Sequence, residues 1–298
     1  MPSPAPRSSS CGAIELRARE RVLEDGEDAG DGDAEEVRRE LGLETATSRS
    51  RAAVAALAVV FLAGCGGDTQ QDRAAGPVDA ADSRLRLHAR PRAGAKPCAS
   101  GEYELRISPD RRALTRVTTP PRGRRAALLL ALHGAGSGGA RGGLYAFRGA
   151  WTRPGLVIVA PAAASTAWTL GPTDVRFVDR ALQRAFARCR VDPRRVAVGG
   201  FSSGAGMALW LGLSNGDLFR SVIALSGGGA LPDERTGKPR VYVAHGTLDR
   251  TIPVTLGGDT IVRELRGQGY EVNYRRFRGG HRVVPSIARE AVVSTLIR

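Results

Sequence analysis

The chain has 298 residues, of which 42% are hydrophobic and 25% charged, and its formal net charge is +14. Arginine supplies 42 of the 44 basic residues. The arginines are scattered, without interleaved aromatic residues or a basic helix stripe, so we expect no nucleic-acid partner. A solvated basic surface is the plain interpretation of this charge, and attraction to anionic lipid headgroups is the functional alternative.

Residues 1–50 form an acidic, polar segment with a net charge of −5, from 12 Asp and Glu against 7 Arg. Its low hydrophobicity between Glu24 and Glu36 argues against a folded domain. Either translation starts further downstream, or a disordered arm precedes the rest of the chain. The first of these alternatives is favoured.

Residues 51–65 have the pattern of a secretory signal. Arg51 precedes an apolar run from Ala52 to Ala63, which is too short for a comfortable membrane span. Leu62-Ala63-Gly64-Cys65 then resembles the bacterial lipobox, which implies lipidation of Cys65 and anchoring on the outer face of the cell membrane. A secreted or periplasmic protein, with Cys65 present by chance, is the alternative.

Residues 66–97 are rich in Gly, Ala, Asp and Arg and predict a flexible linker, so we expect one folded domain to span residues 98–298. An exported protein favours disulfides, which makes Cys98 and Cys189 candidates for a pair. No cluster of Cys and His has metal-ligand spacing, so we expect neither a metal nor a cofactor.

Strands and helices alternate along this domain, which predicts a mostly parallel sheet with helices on both faces. The expected strands and helices are listed in chain order: strands Tyr103–Ser108 and Leu114–Thr118 as a hairpin, strands Ala126–Leu132 and Leu156–Ala160, helix Pro172–Arg188 capped by Thr173, strand Arg195–Gly199, a helix from Ala205, helix Val254–Gly267, strand Glu271–Phe277 and helix Pro285–Ile297. Trp168, shortly after the strand Leu156–Ala160, is a candidate to line a substrate pocket, and simple packing is an equal alternative.

Gly200-Phe201-Ser202-Ser203-Gly204 carries the most specific chemical signal, because a strand precedes it and a helix follows it. A G-x-S-x-G turn in this position is a nucleophile elbow. The backbone N–H of Ser203 is then one expected donor of an oxyanion hole. The second is expected in the glycine-rich loop His133–Gly139, at Ala135 or, as runner-up, Gly136. A phosphate-binding role for this loop is disfavoured, since it lacks G-K-[ST] and G-x-G-x-x-G.

A serine nucleophile needs a base, and chain order selects among the four histidines. In the α/β-hydrolases, where such an elbow carries the nucleophile, the chain order is Ser, Asp or Glu, then His, so His88 and His133 are excluded. Asp249 follows the strand that ends near His245, and His281 follows the next strand. We therefore expect Ser202, Asp249 and His281 to form the triad, with His245 as a structural histidine and Asp259 or Asp233 as alternatives to Asp249.

These segments together resemble the phospholipase/carboxylesterase group of α/β-hydrolases. The likeness is carried by Asp174–Leu182, Val191–Ala205, Leu213–Phe219, Val222–Gly227, His245–Asp249 and Gly279–His281, and it covers about residues 100–298. The group neighbours the polyhydroxybutyrate-depolymerase and feruloyl-esterase-like lipoproteins. Many relatives have a second glycine where this chain has Ala205.

The resemblance implies the α/β-hydrolase fold and cleavage of a small or polymeric carboxylic ester through an acyl-enzyme. Acyl transfer and polyester depolymerisation use the same triad and stay open as alternatives. The alternative from another class is an inactive binding lipoprotein of the cell envelope.

Overall fold

The computed structural model describes residues 86–297 except 110, 119–122 and 230. An eight-stranded sheet forms its centre, with the spatial order β1-β2-β4-β3-β5-β6-β7-β8. The strands are β1 Gly101–Arg106, β2 Arg112–Val117, β3 Ala126–Leu132, β4 Leu156–Pro161, β5 Val191–Phe201, β6 Ser221–Leu225, β7 Arg240–Gly246 and β8 Val272–Phe277. The helices are α1 Gly139–Ala146, α2 Pro172–Arg188, α3 Ser203–Ser214, α4 Gly258–Gly267 and α5 Pro285–Val292, with a 3₁₀ turn at Arg148–Ala150 and a π-helical turn at Val293–Ile297.

The sheet is mostly parallel, as the sequence predicts. β1 and β2 form an antiparallel hairpin, and β2 is antiparallel to β4. From β4 through β8 all neighbouring strands are parallel. The carboxyl ends of β3 to β8 therefore meet at one edge, where ligands bind in open α/β sheets.

Helices cover both faces of the sheet, and this accounts for the uninterrupted apolar run of β3. Every residue of β3 is fully buried. Successive side chains of a strand point to opposite faces. Leu128 and Leu130 accordingly lie in the core that packs under α2, α3 and α4, while Leu129 lies in the core under α1 and α5. The α/β-hydrolase fold and its two helical layers are thereby confirmed.

The cap of α2 and the start of α4 differ from the prediction, whereas α2 itself begins at Pro172, as predicted. Gly171 precedes α2 as its N-cap and Pro172 occupies the first turn, so Thr173 lies inside the helix and does not cap it. α4 begins at Gly258 rather than Val254, because the residues before it form turns closed on Pro253 O by the N–H groups of Leu256 and Gly257. Because apolar residues keep a helical spacing through this turn, the sequence pattern does not indicate where the helix starts.

Residues 86–97 pack on the domain, although the sequence assigned them to the linker. Leu87 and Ala89 are 2% and 1% exposed. The carboxylate of Asp179 accepts hydrogen bonds from the N–H groups of His88 and Ala89, and Asn215 Oδ1 accepts one from Leu87 N–H. The folded domain thus extends back at least to Arg86, which corrects the expected boundary at residue 98.

Cys98 and Cys189 form a disulfide with their Cα atoms 4.6 Å apart. Cys189 directly follows the last residue of α2 as its C-cap, so the bond ties the segment before β1 to the end of this helix. The predicted acidic arm, the signal segment with Cys65, and residues 66–85 of the linker lie outside the described residues. Within the described residues, no helix is long and apolar enough to cross a membrane.

The exposed face of α2 carries a basic stripe that the sequence interpretation missed. Arg176, Arg180 and Arg184 are all exposed and recur every four residues, a spacing that places them on one helix face. Arg188 continues the series and lies over the ring of Tyr103, with its guanidinium carbon 5.3 Å from the ring centroid. The arginines are therefore less scattered than the sequence suggested.

Candidate active site

Ser202 occupies the sharp turn between β5 and α3. Its backbone has φ 54° and ψ −120°, a conformation that L-residues rarely adopt. The N–H of Ser202 donates to Leu225 O at the end of β6, at 3.0 Å, and so holds the turn against the neighbouring strand. The two flanking glycines are required by space, since an added Cβ at Gly200 would overlap Gly204 O and one at Gly204 would overlap Leu132 O.

Ala205, the departure from the resembled family, is accommodated by a glycine elsewhere. Its side chain is fully buried against Gly227, in the loop after β6. A Cβ at Gly227 would approach Ala205 Cβ to 2.6 Å, too close for two carbon atoms. The methyl group at position 205 therefore fits because position 227 has no side chain.

The structure brings Ser202, His281 and Asp249 together. His281 Nε2 lies 2.9 Å from Ser202 Oγ, and His281 Nδ1 lies 2.7 Å from Asp249 Oδ2. An ionised carboxylate only accepts, so Nδ1 donates to Asp249 and Nε2 is left to accept the serine proton. The side chain of His281 is 17% exposed and that of Asp249 is fully buried. This is the geometry of a nucleophile, its base and the group that orients the base.

Short backbone contacts fix the carboxylate of Asp249. Its Oδ1 accepts from the N–H groups of Thr251 and Ile252, each at 2.9 Å. The other oxygen is thereby directed at His281. Of the alternative acids, Asp259 accepts a hydrogen bond from Tyr274 and Asp233 is exposed. Among the described residues, neither contacts His281.

His245 lies behind Asp249 and is fully buried. Its Nδ1 accepts from the N–H of Gly258 at 3.2 Å, so its Nε2 carries the proton and donates to Ile252 O at 2.8 Å. The same Nε2 is 3.3 Å from Asp249 Oδ2. His245 thus ties the start of α4 to the turn that holds the carboxylate, and sequence reasoning had given it only a general structural role.

The glycine-rich loop after β3 faces Ser202 from the other side. The N–H of Gly136 donates to Thr166 O at 3.0 Å, so this runner-up donor is engaged. The N–H groups of Ala135 and Ser203 have no acceptor within the described part of the chain. Both remain available to an oxyanion above Ser202.

His133 and Trp168 support this loop from below. His133 Nδ1 donates to Gly134 O, while its Nε2 accepts from Ala163 N–H at 3.0 Å. Burial lowers the pKa of His133 more than its bond to Gly134 O and the charge of Asp174 raise it. Trp168 is 9% exposed, and its indole N–H donates to His133 O at 2.9 Å. The candidate pocket residue therefore packs beneath the loop.

Asp174 is a buried site residue that sequence reasoning missed. Its carboxylate pairs with Arg111 at 2.7 Å and accepts from Ala164 N–H and from both N–H and Oγ1 of Thr169. These contacts fix the segment that carries Thr166 and Trp168. The available signal was an acid in the first turn of a helix, which usually indicates only a favourable interaction with the helix dipole.

Ser226, also missed, has a positive φ of 47° at the end of β6. Its N–H donates to Ala244 O at 2.7 Å and its Oγ to Arg282 O at 3.4 Å. The ring of Phe201 packs on His281 with centroids 4.9 Å apart. His281 is thus positioned by groups from β5 and β6 as well as by Asp249.

Comparisons with known proteins agree with this architecture. A family model described as phospholipase/carboxylesterase matches residues 175–291, which include Ser202, Asp249 and His281 but not the loop after β3. No curated protein sequence matches the chain significantly. The solved structure of esterase PE8 is 25% identical, with a TM-score of 0.51, over 60% of this chain and 95% of that one.

Two further solved structures are similar in fold. The fluorophosphonate-binding serine hydrolase F of Staphylococcus aureus has 13% identity and a TM-score of 0.54, covering 67% of this chain and 99% of that one. A ferulic acid esterase has 16% identity and a TM-score of 0.54, covering 68% and 99%. At such identities the likeness supports the fold alone, whereas the family match extends to the residues around Ser202.

Proposed function

We propose that this chain, an α/β-hydrolase of the phospholipase/carboxylesterase group, cleaves carboxylic esters through a covalent intermediate on Ser202. The observation that carries the proposal is the pair of hydrogen bonds from Ser202 Oγ through His281 to Asp249, at 2.9 and 2.7 Å. It is supported by the strained backbone of Ser202 and by the N–H groups of Ala135 and Ser203, which have no acceptor among the described residues.

The acylation step follows from this geometry. Ser202 Oγ attacks the ester carbonyl carbon while His281 Nε2 takes the hydroxyl proton. The carbonyl electron pair moves onto oxygen, and the N–H groups of Ala135 and Ser203 donate to that oxyanion. When the carbonyl re-forms, the bond to the leaving alcohol breaks, and His281 delivers its proton to the departing oxygen.

Deacylation repeats the sequence with water. His281 removes a proton from water, the resulting hydroxyl adds to the acyl carbon, and Ser202 Oγ leaves with the proton from His281. Asp249 holds Nδ1 as the donor and stabilises the imidazolium in both halves. An acceptor alcohol in place of water would give acyl transfer, so analysis of the products separates the two reactions.

A covalent probe tests the nucleophile. A fluorophosphonate should label the protein at Ser202, and Ser202→Ala should remove both the label and turnover of a p-nitrophenyl ester. Ser286→Ala is the matched control, because Ser286 is an exposed serine on α5. Full labelling of a folded Ser202→Ala protein would refute the proposal, and absence of labelling in the unmutated protein would favour an inactive binding protein. Substrates of graded acyl length would then define the ester.

We infer that the enzyme is exported and anchored through a lipid on Cys65. The inference is supported by the basic residue, apolar run and Leu-Ala-Gly-Cys sequence at positions 51–65. In a bacterium with the lipoprotein pathway, the protein should incorporate labelled palmitate, and Cys65→Ser should abolish the label. Cys11→Ser is the matched control and should retain it. Palmitate label that survives Cys65→Ser would contradict the anchor.

A further inference from the structure

The large hydrophobic side chains that are exposed lie at one edge of the sheet. Among the described residues these are Leu170, Leu248 and Leu256, which are 38%, 58% and 66% exposed. Leu170 lies between β4 and α2, and the two leucines with the greatest exposure lie between β7 and α4. The connections that carry them leave the carboxyl ends of strands, as does the turn at Ser202. Apolar exposure is thus concentrated around the candidate active site.

Exposed arginines accompany the two most exposed leucines. Arg250 lies in the loop 247–257, and Arg278 and Arg282 lie in the loop 278–284. The one acid in these loops is Asp249, and its side chain is fully buried. No described carboxylate lies within ion-pair distance of the three guanidinium groups. The outer surface of both loops is therefore positively charged.

The two loops form one continuous surface. Thr247 N–H donates to Phe277 O at 2.8 Å, and Leu248 N–H donates to Gly279 O at 2.9 Å. Asp249 and His281 join them again at 2.7 Å. We define the arginine–leucine rim as Leu248, Arg250, Leu256, Arg278 and Arg282. It borders the base that contacts Ser202.

We propose that the arginine–leucine rim docks on an anionic phospholipid surface and turns Ser202 toward it. Transfer of leucine side chains from water to the boundary of the lipid acyl chains is favourable, and guanidinium groups pair with phosphates in the adjacent headgroup layer. A nucleic acid would engage the arginines but offer little to the leucines. A small soluble ester would be too small to cover five side chains on two loops. A lipid surface satisfies both kinds of side chain together.

The stripe on α2 provides an internal control for charge. Arg176, Arg180 and Arg184 are three exposed arginines, like those of the rim, but no large hydrophobic side chain is exposed on α2. Replacing three arginines by glutamine changes net charge equally at both places. The two triple variants therefore separate a docking surface from general attraction of a basic protein to an anionic membrane.

The test uses the full chain with Cys65→Ser, so that no lipid is attached at that position. Binding is measured by sedimentation with vesicles of phosphatidylcholine alone and of equal parts phosphatidylcholine and phosphatidylglycerol. Each arginine near an anionic surface strengthens binding by about fivefold. The triple rim variant Arg250→Gln/Arg278→Gln/Arg282→Gln should therefore bind the anionic vesicles about a hundredfold more weakly. Leu248→Ser/Leu256→Ser should also weaken this binding, and Arg176→Gln/Arg180→Gln/Arg184→Gln should leave it within about threefold.

Three outcomes would overturn the proposal. One is an equal loss in the α2 and rim arginine variants, which would mean unspecific attraction. Another is equal binding to neutral and anionic vesicles in all variants. The third is unchanged vesicle binding with a raised KM for a soluble anionic ester, which would make the arginines substrate contacts. Turnover of a short neutral ester tests the reaction proposed for Ser202 separately, so either proposal can fail alone.

Discussion

The two flanks of Ser202 are both built from loops at the carboxyl edge of the sheet, yet they are held in different ways. On the oxyanion flank, residues 133–139 and 162–171 are fixed by buried side chains, chiefly His133 and Asp174, that bond to backbone groups. On the base flank, the buried side chains of Asp249 and His245 also bond to backbone groups, but residues 247–257 and 278–284 are joined to each other by backbone hydrogen bonds, and several of their side chains face solvent.

The difference follows from what each flank supplies. The oxyanion flank offers a backbone N–H, whose position depends on the conformation of the whole loop, so the loop itself must be fixed. The base flank offers the side chains of His281 and Asp249, which can be positioned individually while neighbouring side chains point outward. The same reaction can therefore use a fixed loop on the oxyanion flank and loops with solvent-facing side chains on the base flank.

The largest expected effect concerns Ser202 and His281, which lie where the two flanks meet. Ser202→Ala and His281→Ala should each lower kcat by at least about 10⁴-fold, because nucleophile and base act as a unit. The double variant should be hardly worse than either single one. Steady-state turnover with circular dichroism as the folding control measures this. Losses that multiply in the double variant would mean that the two residues act independently.

Each flank has a buried carboxylate, and its substitution should lower activity at Asp249 but stability at Asp174. Asp249→Asn should lower kcat by about 10⁴-fold, because an amide favours the wrong tautomer of His281, with little change in stability. Asp174→Asn should instead lower the free energy of unfolding by about 3 kcal/mol, because Arg111 loses its buried partner. Urea unfolding and turnover of both variants check the contrast. A stable Asp174→Asn protein with normal activity would contradict the support assigned to this flank.

Substitution of His245 should have a smaller effect, which lowers kcat and leaves KM unchanged. His245→Asn can replace the Nδ1 acceptor but not the Nε2 donor near Asp249, and should lower kcat by about tenfold through misplacement of the carboxylate. His245→Gln can replace the Nε2 donor and is expected to retain more activity. KM for a soluble ester should be unchanged in both. Equal activity of the two variants would make the contact with Asp249 irrelevant.

The smallest expected effect concerns pH and the oxyanion flank. Burial lowers the pKa of His133, so the unfolded chain binds a proton below about pH 6.5 that the folded chain does not bind. The contribution of this histidine to stability is therefore complete above that pH and is lost as the pH falls toward the folded pKa. His133→Gln should lose less stability on acidification than the unmutated protein in urea unfolding. Identical pH dependences would contradict this assignment.

Local pattern and chain order were enough to predict much of this molecule. The apolar run of β3 and the glycines around Ser202 are local signals, and the strand–helix alternation fixes the edge at which Ser202, Asp249 and His281 meet. The structure brings these three residues together, so their proximity was predictable without knowledge of a single contact. The order of the triad in the resembled fold supplied the remaining choice among histidines.

The missed features depend on contacts between distant segments. Arg111 and Asp174 are 63 positions apart, and nothing local to either residue indicates the other. The packing of residues 87–89 likewise depends on Asp179 and Asn215, which accept from backbone N–H groups 90 and 128 positions earlier. The arginine stripe of α2 is different, since its four-residue spacing was readable and was overlooked.

The disulfide between Cys98 and Cys189 has a mechanical consequence. Tension applied to the chain ahead of Arg86 would first break the ion pair of Arg86 with Asp217, then separate residues 87–89 from α2 and α3, and then break the ion pair of Arg90 with Asp217. At Cys98 the force would meet a covalent bond and pass into α2, so β1 would be spared direct pulling. A dozen residues could thus extend under load and shorten again while the sheet and the arrangement around Ser202 remain intact.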